Sequence, residues 1–332
     1  MKDKLIKVLL KALSWGVLAV VGGVILSIVG GWIAKDPITF TQQVLNGLQL
    51  GFVYAMIAVG YTLVYGVLKL INFAYGDVFM VGAFISYFGI TKYGFSFLPA
   101  LLLAAVGCVF LTVIIDRVAY KPLRESPRIA ALITALGMSI FLEYFTALKF
   151  VFGPDYIAFE RPFKLVTWNV GGVTFTNIQL VIFATSVIFF LGVQYIIKRT
   201  KMGKAMRASA FDKGTARLMG INVNAVIAAT FALTGALAGT AAMLYATAYP
   251  QIWTFMGIQP GLKAFVAAVI GGIGSIPGAF VGSLIMGFVE AMTVGYVPLG
   301  STLKDGVAFL LLIAILLIKP TGIFGDPFEE TK

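Results

Sequence analysis

Ten apolar segments follow one another between residues 13 and 318, most close to the length of a bilayer-spanning helix, with the charged residues largely gathered between them. That rhythm fixes the solvent. The hydrocarbon core of a membrane takes about 20 apolar residues per helix, and within lipid the backbone polar groups have to be satisfied internally. The segments run 13–33, 43–67, 70–90, 97–115, 129–151, 177–197, 225–247, 262–275, 277–295 and 302–318, the eighth too short to cross unaided. Charged residues make up about 25% of a soluble domain. Here they make up 12%, against 60% hydrophobic residues and a mean hydropathy of +0.97. The expected fold is all-α: a polytopic transmembrane helix bundle of about eight to ten spans.

The net charge of +11 reflects where the cations sit and not a nucleic-acid surface. Of 25 Lys and Arg, 18 fall within residues 2–11, at Lys69, within 117–128, within 198–217, and at Lys319 and Lys332. These places alternate with apolar segments, as the positive-inside rule expects of cytoplasmic loops. The first apolar run, Ser14–Ile33, is longer than a signal-peptide core, and no small-residue cleavage site follows it. It is read as an uncleaved first helix with a cytoplasmic N-terminus. An even number of crossings returns the C-terminus to the cytoplasm beside Lys319. The main external loop is then Gly153–Thr176, whose aromatics and mixed charges suit an interfacial cap or a docking surface.

The chain has no His, and its one Cys, Cys108, lies within an apolar run. That removes the commonest general base and any intrachain disulfide. Gly203–Lys204 is followed by Ala205, which breaks the phosphate-loop pattern. The stretch "AVIGGIGSIPGAFVG" (Ala268–Gly282) places Pro277 where a dinucleotide fingerprint needs its third glycine. No enzymatic activity, cofactor or metal is expected of this chain.

The glycines suit helix packing and helix breaks better. Gly274, Gly278 and Gly282 recur every four residues, as Gly235 and Gly239 do, and small residues at that spacing let membrane helices approach closely. Residues 46–115 and 225–318 share one plan: helix, Gly-bearing break, helix, helix. The breaks are Asn72, Gly76 and Asp77 in the first, and Gly271, Gly272, Gly274, Ser275 and Pro277 in the second. Interrupted apolar segments at matching positions of two halves point to a transport route. These residues are the candidates for a pathway or hinge, together with Glu143. Acids within a bilayer cost about 2.5–3.5 kcal/mol on insertion scales. Asp77 either caps a helix start or lines the route. Glu143 is a candidate partner for a neighbouring subunit, Glu290 is expected near the outer interface, and Lys149 and Lys263 are expected to snorkel.

The most polar stretch, "KRTKMGKAMRASAFDKGTARLMGIN" (Lys198–Asn222), holds seven basic residues and one acid, Asp212. It reads as one helix from Lys204 to Met219, closed by Gly220 as a C-cap. Its charge suits topology and anionic lipid, and its patterned face suits a soluble partner.

Four blocks resemble the permeases of branched-chain amino acid ATP-binding-cassette importers. They are "NGLQLGFVYAMIAVGYTLVYGVLKLINFAYGDVFMVGAF" (Asn46–Phe84), "LITALGMSIFLE" (Leu132–Glu143), "MGKAMRASAFDKGTARLMGINVN" (Met202–Asn224), and "GLKAFVAAVIGGIGSIPGAFVG" (Gly261–Gly282) with "KPTGIFG" (Lys319–Gly325). The resemblance implies a permease domain over residues 39–325, preceded by an extra helix (1–38) and followed by a cytoplasmic tail (326–332). It implies a bacterial or archaeal cytoplasmic (inner) membrane and two ATPase subunits that hydrolyse the ATP. It implies a second related permease, as heterodimer or homodimer, and an extracytoplasmic binding protein that delivers the amino acid. The coupling loop to the ATPases would comprise Gly203, Arg207, Ala208, Asp212, Ala216, Arg217, Leu218 and Gly220. Two positions depart from the family pattern: Tyr75 stands where a His is frequent, and Phe211 precedes Asp212 where an acidic pair is frequent. A secondary transporter or channel for a small polar solute stays open as a rival, as do urea and short amides as substrates.

Overall fold

The computed structural model describes residues 30–124 and 126–325; the expected first helix falls mostly before them and the expected tail after them. In chain order the helices are α1 (Pro37–Leu68), α2 (Tyr75–Thr91), α3 (Phe97–Ile115), α4 (Arg128–Thr146), α5 (Asn177–Arg199), α6 (Lys201–Phe211), α7 (Lys213–Leu218), α8 (Val223–Ala248), α9 (Ile258–Gly271), α10 (Ile276–Tyr296) and α11 (Gly300–Ile318). Among the described residues seven are long and apolar enough to cross a membrane: α1, α3, α4, α5, α8, α10 and α11. Two more apolar helices, α2 with 17 residues and α9 with 14, are short. The segment 262–275, expected to be too short to cross unaided, is the second of these.

The ends of α1 follow from its sequence. Asp36 caps the start by accepting from the Thr39 N–H at 3.0 Å, and Pro37 occupies the first turn. Those bonds, the Thr39 side chain's first, hold the exposed Asp36 carboxyl below its ordinary pKa. At the other end Lys69 adopts a left-handed conformation, φ 58°, and turns the chain back into the bundle.

The internal repeat is visible in the packing. α1, α2 and α3 run long, short, long, and α8, α9 and α10 run the same way. The packing partners are exchanged between the halves: α1 lies along α10, α8 along α3, α2 against α8, and α9 against α1. The α1–α10 seam is close because its facing residues are small. A Cβ on Gly51 would stand 2.9 Å from the Leu284 Cα, and one on Gly47 2.9 Å from the Phe288 Cα. Dispersion across such seams holds membrane helices together where no hydrophobic drive separates them from lipid. Buried α1 and α8 form the centre, and α4, α5 and α11 lie outside.

The loop Gly153–Thr176 folds on itself. β2 (Thr167–Val170) and β3 (Val173–Thr176) pair antiparallel about the Gly171–Gly172 turn, and the Gln42 side chain on α1 accepts from the Thr174 N–H at 2.8 Å. β1 (Ile157–Ala158) pairs with β4 (Gln251–Ile252), tying this loop to the segment after α8.

Candidate translocation and coupling sites

The first break lies where expected but meets a different partner. After Lys69 the chain runs without helix to Ala74, and α2 starts in the interior. Its second residue, Gly76, abuts Gly257, at the start of α9: a Cβ on Gly76 would stand 2.6 Å from the Gly257 carbonyl oxygen. Gly261 packs on the same spot, 2.9 Å from the Gly76 Cα by the same construction. The starts of the two short helices therefore meet inside the bundle. The glycine pattern pairs Asn72–Asp77 with Gly271–Pro277, but in the order of helices the break equivalent to Lys69–Ala74 is Tyr249–Gly257. The signal was present as Gly257, Pro260 and Gly261 at the head of an apolar run.

The second break is a turn after α9. Gly272 and Gly274 take φ of 103° and 102°, which glycine adopts without strain. Ser275 caps α10 by accepting from the Gly278 N–H at 3.2 Å, and Pro277 sits in the first turn. The Phe324 N–H donates to the Gly271 carbonyl at 2.9 Å, so the "KPTGIFG" segment covers this turn. Of the glycine rhythm, Gly278 and Gly282 face α9, at Gly271 and Ala267, while Gly274 belongs to the turn.

Around the start of α2 a polar cluster assembles. Asp77 is buried, and the Ser139 hydroxyl of α4 donates to its Oδ2 at 2.5 Å. Glu143 follows Ser139 by one turn of α4. Asp77 is thus engaged by α4, and no side chain caps α2. Asn72 accepts from the Tyr120 hydroxyl at 2.5 Å, and both are buried. Tyr75, where the family pattern often has His, donates to the Thr234 carbonyl at 2.8 Å and fills the space over Gly60. Tyr120 and Ser139 escaped sequence reasoning; Ser139 precedes Glu143 by one helical turn, which is the signal it offered.

Two charges lie elsewhere than expected. Lys263 does not snorkel: it is 4% exposed and lies 2.7 Å from Glu290 and 2.7 Å from Asp305. Glu290 is not hydrated at an interface but buried, accepting also from the Tyr54 hydroxyl at 3.1 Å.

The basic segment is two helices, not one. Asp212 takes an extended conformation, φ −153°, and caps α7 by accepting from the Gly214 N–H at 2.7 Å and the Thr215 N–H at 3.1 Å. Asp competes with helix by making such local bonds. The Thr215 side chain first, then the backbone bonds, hold the exposed Asp212 carboxyl below its ordinary pKa. α6 is fixed to the end of α5: Gly203 lies so close to the Ile196 and Ile197 carbonyls that a Cβ has no room, and Arg207 donates to the Ile197 carbonyl. Gly220, φ 81°, ends α7. Ala216 is buried, while Ala208 and Arg217 are exposed and Leu218 and Met219 are 88% and 79% exposed. Lys213 donates to the Leu68 carbonyl at 3.2 Å, joining this segment to the end of α1.

Among the described residues no group of His, Cys, Asp and Glu has the arrangement of a metal site. Residues 43–316 match the family described as "Branched-chain amino acid transport system / permease component". The high-affinity branched-chain amino acid transport system permease protein LivH of Escherichia coli is 43% identical over 304 residues, covering 88% of this chain and 97% of that protein. BraD of Pseudomonas aeruginosa, with the same description, is 42% identical over 301 residues at the same coverage. A probable LivH of Methanocaldococcus jannaschii is 29% identical over 296 residues, 83% of this chain and 90% of that one. With seven membrane-length helices and a match over most of its length, the chain is a multi-pass membrane protein that belongs to the family of branched-chain amino acid transport permeases.

Proposed function

We propose that this chain is the membrane subunit of an ATP-driven importer and passes branched-chain amino acids from an extracytoplasmic binding protein to the cytoplasm. The observation that carries the ATP-driven part is the α6–α7 segment. It stands on the end of α5 with Phe211, Leu218 and Met219 exposed among basic residues. Apolar side chains so exposed on a capped polar helix pair suit the groove of a soluble partner. The partners are two ATPase subunits, with hydrolysis on those chains, and a second permease, identical or related, completes the unit. The positive-inside rule puts the end bearing Lys69, Arg124 and α6–α7 in the cytoplasm, and both termini with it. The membrane is the cytoplasmic membrane of a bacterium or archaeon.

Movement of α6 and α7 would reach the interior through Lys213 and the end of α1. The route passes the meeting of α2 and α9 and the Asn72, Asp77 and Glu143 cluster, where helix starts favour a carboxylate. The turn at Gly271, Gly272, Gly274, Ser275 and Pro277 serves as a hinge. The test is leucine uptake by proteoliposomes holding the permease, its ATPases and the binding protein. Leu218→Asp with Met219→Asp should abolish ATPase co-purification and uptake while the permease stays inserted. Undiminished ATPase binding sinks the coupling assignment, and leucine uptake driven by an ion gradient without ATP sinks the importer.

A further inference from the structure

A cavity of about 280 Å³ lies at the basic end, between the end of α1, the segment after α3, the first turn of α4, α7 and the start of α8. Leu70, Ala131 and Ile227 give it an aliphatic wall, and Arg124 and Arg217 add cationic groups from two different segments. The Arg124 guanidinium is partly used. Its Nη2 lies 2.6 and 2.8 Å from the two Asp116 oxygens, and its Nη1 donates to Asn224. Its Nε–H is buried and has no acceptor among the described residues. Buried donors in native proteins nearly always find an acceptor, so this one marks a place for an oxygen ligand. Arg217 supplies a second, exposed cation from α7.

The cavity has a roof. α3 ends in a π turn, Asp116–Tyr120, and such turns recur at functional sites. It delivers Tyr120 to the cavity, ring stacked on Phe231 with centroids 5.5 Å apart and hydroxyl on Asn72. Asn72 belongs to the segment that leads up to Gly76 and Asp77.

We propose that this cavity is the vestibule through which the transported solute leaves, and that it binds an aliphatic amino acid: side chain on the Leu70, Ala131 and Ile227 wall, carboxylate on Arg124 and Arg217. The Tyr120–Asn72 bond closes it from the helix meeting above. The inference rests on the importer reading.

The experiment uses the complete complex in nanodiscs, with Ser126→Cys placing a thiol in the cavity wall; Cys108 is buried and leaves the reaction to the new thiol. Leucine at about ten times its dissociation constant should slow labelling by a polar maleimide about tenfold. Leucinol, which lacks the carboxylate, should not, and Arg217→Gln should weaken the protection by leucine. Tyr120→Phe keeps the ring and removes the hydroxyl; it should raise ATP-free leucine leak about five- to tenfold, with only the modest fall in thermal midpoint that one lost buried hydrogen bond brings. Labelling indifferent to leucine in a complex that imports leucine overturns the vestibule and leaves the importer standing. Protection that follows phosphatidylglycerol content instead of leucine overturns it in favour of a lipid site. An unchanged leak in Tyr120→Phe overturns the roof. A complex that imports no leucine sinks the importer reading, and this inference with it.

Discussion

Lys263 on α9 and Glu290 on α10 form an ion pair, Nζ to Oε1 2.7 Å, with both residues almost wholly buried. Asp305 on α11 lies at the same distance from the same Nζ, so one ammonium ties three helices together. The pair is costly to break. Removing one partner of a buried pair costs about 3–5 kcal/mol, because the remaining charge is left without compensation. Lys263→Met should therefore lower the thermal midpoint of the purified protein sharply. Lys304, 3.8 Å from Glu290, moves the expected loss to the low end of that range. Adding Glu290→Leu to Lys263→Met should recover part of the stability. Equal midpoints for wild type and Lys263→Met would show that water reaches the cluster.

The contact between Gly76 and Gly257 predicts a sharp positional contrast. Gly257→Ala drives a Cβ into the Gly76 carbonyl and must part the starts of α2 and α9. Overpacking of this kind costs about 1–3 kcal/mol. Uptake should fall while the protein still inserts. Gly137→Ala on α4, where a Cβ meets nothing, should leave uptake intact and favour the helix by about 1 kcal/mol. Matching uptake in the two variants would remove the helix meeting from the mechanism.

Helices were legible in the sequence wherever apolar length alone decides, as in α3, α5 and α11. Contacts set by geometry across the repeat were not. Gly271–Pro277 carries the louder glycine signal, yet it is a turn covered by the C-terminal segment, whereas the packing counterpart of Asn72–Asp77 is marked by Gly257, Pro260 and Gly261 alone. Lys263 looked like a snorkelling lysine because Glu290 and Asp305 are 27 and 42 residues away in sequence, and no local pattern brings them to it. Asp212 lay within a helical pattern; its cap on Gly214 and Thr215 was readable in "DKGT", since Asp before a glycine favours a helix start over a helix interior.

Asp212 predicts a pH response by its sign. Hydrogen bonds from Thr215 and Gly214 lower its pKa in the folded protein below the ordinary 3.8. Its contribution is complete above that ordinary value and is lost only as pH falls through the lowered one. Coupling between substrate and ATP hydrolysis should therefore show no step from Asp212 between about pH 5 and 8. Asp212→Asn, which still caps a helix, should keep most of the substrate-stimulated ATPase activity, and Asp212→Ala should lose it. If Asn and Ala are equally inactive, the charge itself and not the cap engages the partner.

Asp77 and Ser139 test whether the α2–α4 cluster works in transport or only holds the helices. Asp77→Asn leaves an oxygen to accept from Ser139 and removes the ionisable carboxyl; Ser139→Ala leaves the carboxyl and removes one donor. A purely packing role depends on the hydrogen bond, so Ser139→Ala would then be the more damaging change. A role on the route depends on the ionisable carboxyl. Uptake should then fall about tenfold or more in Asp77→Asn, with stability and ATPase binding close to wild type, because the insertion cost of an acid is sustained only where its charge is used. The comparison is made on one preparation by uptake, thermal midpoint and ATPase co-purification. An Asp77→Asn protein that imports leucine as the wild type does would assign the cluster to packing.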